Sequence, residues 1–128
     1  MKRLVLGTLA AIAMAGTAAA DPVLGVWKTE PDDGAYGHVE MSMCGAAICG
    51  ILIRSFDDTG EIESKNIGKT MVIDMIPQGD GYYEGSVWRP SNDKIYVGKM
   101  ELDGDMLALK GCVMGGLFCA AQDWRRVN

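Results

Sequence analysis

The chain has 128 residues, with 12 Lys and Arg against 17 Asp and Glu, for a net charge of −5. That length suits one domain with one core. The acidic balance, with no Lys/Arg cluster to offset it, repels phosphate backbones and argues against nucleic acid as a partner.

The first element is an export signal. Lys2 and Arg3 form a short positive region, Leu4 to about Ala15 carries no charge, and Ala18 and Ala20 supply small residues before a cut. Residues 1–20 therefore read as a cleavable signal peptide, and the periplasm as the destination. A membrane anchor is the weaker reading, because a bilayer core needs roughly 20 apolar residues and Gly16 and Thr17 interrupt this run. Cleavage leaves residues 21–128 as a single domain, and losing Lys2 and Arg3 takes the net charge from −5 to −7. Nothing downstream is apolar for long enough to span a membrane.

Beyond residue 20 the pattern is one of short apolar runs between turn residues, with no helical stripe. Val23 to Thr29 is the first run, ended by Pro31-Asp32-Asp33-Gly34. Val39, Met41 and Met43 alternate with polar residues, the period of two of a half-buried strand. Gly45-Ala46-Ala47 turns the chain into Ile48 to Phe56, and Asp57-Asp58-Thr59-Gly60 turns it again. Glu61 to Lys69 is polar and reads as a loop. Strands follow at Thr70 to Ile76, Tyr82 to Trp88 and Lys94 to Leu102, then at Asp105 to Val113 and Leu117 to Val127. Asp103-Gly104 has the signature of a tight hairpin. About eight strands joined by short turns predict an all-β antiparallel meander, and eight is a number at which a sheet closes into a barrel. A two-sheet sandwich is the alternative.

Cys44, Cys49, Cys112 and Cys119 give an even count in an exported domain, which reads as two disulfides. Three pairings are open. Cys44–Cys49 and Cys112–Cys119 are favoured because each pair brackets a turn, where facing residues lie at the separation a disulfide needs. A zinc site is disfavoured, since the spacing fits no usual finger and His38, the one histidine, is remote. No metal or other cofactor is expected.

Candidate chemistry is sparse. Trp88 and Tyr96 flank the turn at Pro90, and with Tyr83 and Met43 they are the candidates for a ligand wall. Ordinary cross-strand packing is the preferred account of the aromatics, and barrel filling that of the methionines. Asp74 lies in an apolar strand, at an alternation that opposes it to Met71, Ile73 and Met75 and so places it outside. Most other carboxylates sit in turns, where they cap backbone groups. With the thiols paired and His38 unpartnered, nucleophilic catalysis has no support, and the protein is expected not to be an enzyme.

Gly25-Val26-Trp27 opens the first strand and Trp124-Arg125-Arg126 closes the last. This resembles the calycin arrangement of lipocalins, in which a Gly-x-Trp indole seals the closed end of the barrel beneath an arginine of the last strand. Here those residues are Gly25, Trp27 and Arg126. The chain also looks like the bacterial exported family called domain of unknown function 2147. The likeness rests on Gly25-x-Trp27, Cys44 through Gly50, Gly85 through Pro90, Tyr96, Gly111-Cys112 and Trp124-x-Arg126. It departs from the family pattern at Lys65-Asn66-Ile67, where an Asp and an Asn-Pro pair are usual, and at Asn92-Asp93, where a Gly is common. The resemblance implies an eight-stranded, lipocalin-like barrel and little chemistry. Fold analogy then points to a small apolar or amphipathic ligand in the barrel mouth. The alternative is a filled barrel that serves as an interaction module for an envelope protein. The sequence sets no oligomeric state.

Overall fold

A computed structural model describes residues 20–128. The expected signal peptide lies outside the described residues except for Ala20. Strands run over Gly25–Lys28 (β1), Tyr36–Cys44 (β2), Ala47–Asp57 (β3) and Gly60–Ile62 (β4). They continue over Thr70–Gly79 (β5), Tyr82–Arg89 (β6), Lys94–Asp103 (β7), Met106–Val113 (β8) and Phe118–Arg126 (β9). All described pairings are antiparallel. Following the pairs gives the ring β1-β2-β3-β5-β6-β7-β8-β9, which β1–β9 closes. The result is a closed eight-stranded barrel, and β4 is an addition to it.

β4 lies in the segment expected to be loop from Glu61 onward. The turn before it is held by Asp57, whose carboxylate accepts from the Thr59 amide at 2.8 Å. Gly60–Ile62 then pairs back onto Ser55–Asp57. One edge of β3 is thus shared. β5 takes Ile48 to Ile51, β4 takes the far end, and Leu52 between them bonds Lys69 and Gly68.

β5 also departs from simple alternation. Asp74 has a positive φ of 47°, and the register with β6 shifts between Ile73 and Ile76. This bulge turns Val72 and Met75 inward together, both fully buried, while Ile73 is not. Asp74 is exposed, but the even alternation expected of its neighbours is broken there. A Cβ on Gly85 would come 2.6 Å from the Ile73 and Asp74 carbonyls, so the partner strand needs glycine opposite the bulge. β5 then runs past the expected stop at Pro77. β3 no longer flanks it there, so the N–H that proline lacks is missing from an unpaired edge.

Both disulfides sit across hairpin strand pairs, Cys44 with Cys49 and Cys112 with Cys119. The closed end is packed around Trp27, which is 0% exposed and donates its indole N–H to the Val23 carbonyl at 2.9 Å. The Arg126 guanidinium lies 4.4 Å from the centre of that ring. It donates to the Leu24 carbonyl at 3.0 Å and the Pro22 carbonyl at 2.6 Å, and it pairs with Asp105 at 3.0 Å. The N-terminal segment is thereby tied under the barrel floor. Gly25 is required in this arrangement: its φ is +124°, and a Cβ would lie 2.3 Å from the Asn128 carbonyl oxygen.

Candidate functional site

The barrel is filled at one end and hollow at the other. Met41, Ile48, Met75, Met100 and Leu107 are each 2% exposed or less and complete the packing around Trp27. At the opposite end a cavity of about 490 Å³ opens to solvent. That size falls within the range of about 300–1,000 Å³ typical of small-molecule sites. Its apolar walls are Leu52 of β3, Met71 of β5, Val87 of β6, Leu109 of β8 and Trp124 of β9. Trp124 is 1% exposed, and its indole N–H donates to Gln122 Oε1 at 2.8 Å, so that polar atom is satisfied against the cavity.

The loop between β1 and β2 reaches over the mouth. Asp32 on that loop accepts two hydrogen bonds from Arg89, at the end of β6, each at 2.8 Å, and a third from Ser91 Oγ at 3.0 Å. β1 and β6 stand four places apart in a ring of eight, so the clasp spans the opening. The Arg89 hydrogen bonds hold the Asp32 carboxyl below its ordinary range, against a smaller opposing effect of burial. Glu30, Asp32 and Glu63 line the cavity with Arg89 as the one basic side chain, and Arg89 is already paired. The rim is therefore net acidic.

Of the four residues expected in a ligand wall, the structure brings two to the cavity. Tyr96 points inward from β7, and its hydroxyl accepts from Asn92 Nδ2 at 2.8 Å. Trp88 follows the inward-facing Val87 and so stands at the rim, on the outer side of β6. There its indole N–H donates to Asp93 at 2.8 Å, and Lys69 Nζ sits 5.3 Å over the ring. Tyr83 and Met43 are corrected: neither lines the cavity. Tyr83 does face inward but lies at the filled end, 3% exposed, with its hydroxyl donating to Asp21 at 2.6 Å. Burial first, and then the Asp21 carboxylate, push its ionisation well above the usual phenol range. Met43 lies beyond the barrel interior, beside the Cys44 turn, and is 49% exposed. The sequence alone does not single out Leu109, Val87 or the Asp32–Arg89 clasp. Only the alternation in β6 and β8 hinted at the first two, and nothing local signals a pair 57 residues apart.

Polar chemistry suited to a metal or to nucleophilic attack is thin among the described residues. Cys44, Cys49 and Asp74 lie within 4.8 Å of one another, but the two sulfurs are bonded together and offer no thiolate. His38 is outside the cavity lining, its ring tilted against that of Phe56 with centres 4.8 Å apart. Burial, then the charges of Arg54 and Lys28, lower its proton affinity.

The family described as an uncharacterized protein conserved in bacteria, domain of unknown function 2147, matches residues 25–126. The chain belongs to that family. No curated protein matches it. Among solved structures, the barrel is similar to protein HP1028 from Helicobacter pylori, described as belonging to the lipocalin family. The TM-score is 0.64 over 85% of each chain at 16% identity, a likeness of fold. The match to the family begins at Gly25 and ends at Arg126, so it spans both the floor, with its Trp27–Arg126 contact, and the hollow end.

Proposed function

We propose that this family member is a non-enzymatic, periplasmic binding protein that holds a small apolar or amphipathic molecule in the open end of its barrel. The observation that carries the reading is the cavity of about 490 Å³ above a filled floor. A barrel used only as an interaction module has no need to stay hollow. Affinity comes from burial against Leu52, Met71, Val87, Leu109 and Trp124, at roughly 25 cal/mol per Å² of apolar surface removed from water. Tyr96 and Gln122 supply polar atoms that orient the ligand. Glu30, Asp32 and Glu63 at the rim favour a neutral or cationic head group over a carboxylate such as that of a fatty acid.

Native mass spectrometry tests the reading. Protein purified from the periplasm is compared with the same protein unfolded and refolded without lipid. The expected result is a discrete added mass that disappears on refolding and returns with a neutral or cationic amphiphile. A bare mass in both samples, with no amphiphile taken up, overturns it.

A further inference from the structure

The barrel is closed by very little between β1 and β9. Only Trp27 with Arg126 and Lys28 with Arg125 are paired there, whereas β8 pairs with β9 from Phe118 to Arg125. β1 stops at Lys28 and Pro31 follows, so from Phe118 to Gln122 the other edge of β9 has no neighbouring strand.

The direction of the backbone groups on that edge follows from the bonds around it. The Arg126 amide donates toward β8, to the Asp105 carbonyl at 2.9 Å, and the Val127 amide donates toward β1, to Val26 at 2.7 Å. The Asp123 amide also points to the β1 side, where the Glu30 carboxylate takes it. Odd positions thus face the open edge, and Cys119 and Ala121 present their N–H and C=O groups there. Glu30 caps the edge at Asp123, and below it nothing guards the strand. Phe118-Cys119-Ala120-Ala121-Gln122 contains no charge and no proline, the devices that usually protect an edge. Phe118 to Ala121 are all exposed, Phe118 at 61%.

We propose that this edge pairs with the same edge of a second copy, forming a symmetric antiparallel dimer centred on Ala120. The strand fits itself in one register. Cys119 faces the partner's Ala121 and the reverse, each pair exchanges two N–H···O bonds, and about four such bonds satisfy the N–H and C=O groups of Cys119 and Ala121 on both edges. A register shifted toward Asp123 would need an amide that Glu30 already holds. At the two-fold axis Ala120 meets the partner's Ala120, a non-hydrogen-bonded pair that brings Cα atoms to about 4.5 Å and suits a methyl side chain. No charged residue opposes another, which matters for two chains that are each net acidic. The turn at Met114–Gly116 ends the partner strand at its Phe118, so the Glu30 cap stays in place.

The dimer completes the cavity. Successive residues of a strand point to opposite faces, yet Ala120 and Ala121 both line it, so the cavity reaches around the free edge of β9. The partner strand covers that opening. Residues directly opposite share a face, and the partner's Phe118 therefore stands beside Gln122 on the cavity side. Each barrel receives one aromatic ring from the other. The pairing itself stands apart from the ligand reading; the added ring deepens it.

Sedimentation velocity from about 1 µM to about 1 mM covers weak and strong association. A reversible dimer is expected in the wild type. Ala121→Lys adds a charge at the edge and leaves the backbone bonds to β8 in place, and it should give a monomer; its side chain stands opposite Lys110, so a small loss of thermal stability accompanies it. Under mild oxidation Ala120→Cys should link to itself across the axis, because about 4.5 Å lies within disulfide reach. Gln122→Cys, which faces the partner's Phe118, should not. A wild-type monomer throughout the range overturns the proposal, as does a dimer that Ala121→Lys leaves intact. Cross-linking at Gln122→Cys in place of Ala120→Cys overturns the register. None of these readouts involves a ligand, so failure of the dimer and failure of ligand binding are separately visible.

Discussion

Replacing Trp27 by alanine tests how the closed end is built. The indole is 0% exposed, and truncating a buried tryptophan costs about 3–5 kcal/mol. Two further losses attach to the same site. The Val23 carbonyl loses the donor it has at 2.9 Å, and Arg126 loses the ring 4.4 Å from its guanidinium. An orphaned buried acceptor costs about 1–3 kcal/mol and a cation–π contact contributes about 0.5–2. The three terms share one cavity and do not add, so the expected loss is the upper part of the truncation range, about 4–5 kcal/mol. With an m-value near 2 kcal/mol/M, the urea midpoint falls by about 2 M, a large part of a typical domain's stability. Trp27→Phe fills most of the volume and loses the N–H, so about 1–2 kcal/mol is expected of it. Arg126→Lys keeps the charge, but one ammonium does not reach the Leu24 and Pro22 carbonyls and Asp105 together as the guanidinium fork does. Combined with Trp27→Phe it should be non-additive. A midpoint for Trp27→Ala within about 0.5 M of wild type would refute the floor as described.

Three other outcomes follow from the geometry. Gly111 lines the cavity, and a Cβ there meets Val87 and Tyr96 at the ordinary separations of 3.4 and 3.5 Å; Gly111→Leu should therefore fill the space, fold normally, and lose the amphiphile adduct in native mass spectrometry. The Asp32–Arg89 clasp depends on a carboxyl whose pKa is lowered in the folded chain, so it is complete above the ordinary value of 3.8 and is lost as pH falls through the lowered one. The dissociation rate of a neutral dye such as N-phenyl-1-naphthylamine should be flat from about pH 7 to about pH 5 and rise below about pH 4. Asp32→Asn should show the raised rate throughout, and an identical pH profile in the two proteins would refute the clasp. Replacing Cys44 and Cys49 by serine should cost about 2 kcal/mol in chemical denaturation, and replacing Cys112 and Cys119 slightly more, because the chain-entropy cost grows with loop length from a separation of 5 to one of 7.

The barrel was legible because its signals are local. Alternation at Val39 and Met41, the Asp103-Gly104 turn and the hairpin placement of the cysteines each act within a few residues. Strand count and disulfide pairing follow from such features. The errors lie where a distant contact overrides the local pattern. β4 forms from a polar segment because β3 leaves its upper edge unpaired there. Pro77 continues a strand because its missing donor falls where β3 has ended. Residue type alone marks Tyr83 and Met43 as candidates, whereas position along the barrel axis decides what meets the cavity. That axis is set by strand tilt and register, which a linear pattern does not carry. Tyr83 thus belongs to the floor with Asp21, and the cavity takes Leu109 and Val87, residues without chemical distinction.

The two ends of the barrel divide the work between them. At the floor every polar group of Arg126 and Trp27 is matched, and the methionines Met41, Met75 and Met100 leave no room for a ligand. At the mouth the pairing thins on two sides, between β3 and β5 above Ile51 and between β9 and β1 above Lys28. Loops close these gaps in part: residues 63–69 bond to Leu52 on one side, and Glu30 caps Asp123 on the other. A hollow of about 490 Å³ that opens to solvent next to incomplete ladders is costly, since its apolar lining stays against water at roughly 25 cal/mol per Å². The filled floor supplies the stability that lets the mouth stay open. The two thin seams are also where a strand partner or a ligand recovers the missing contacts, and the uncharged edge of β9 is the seam that its own chain leaves unguarded.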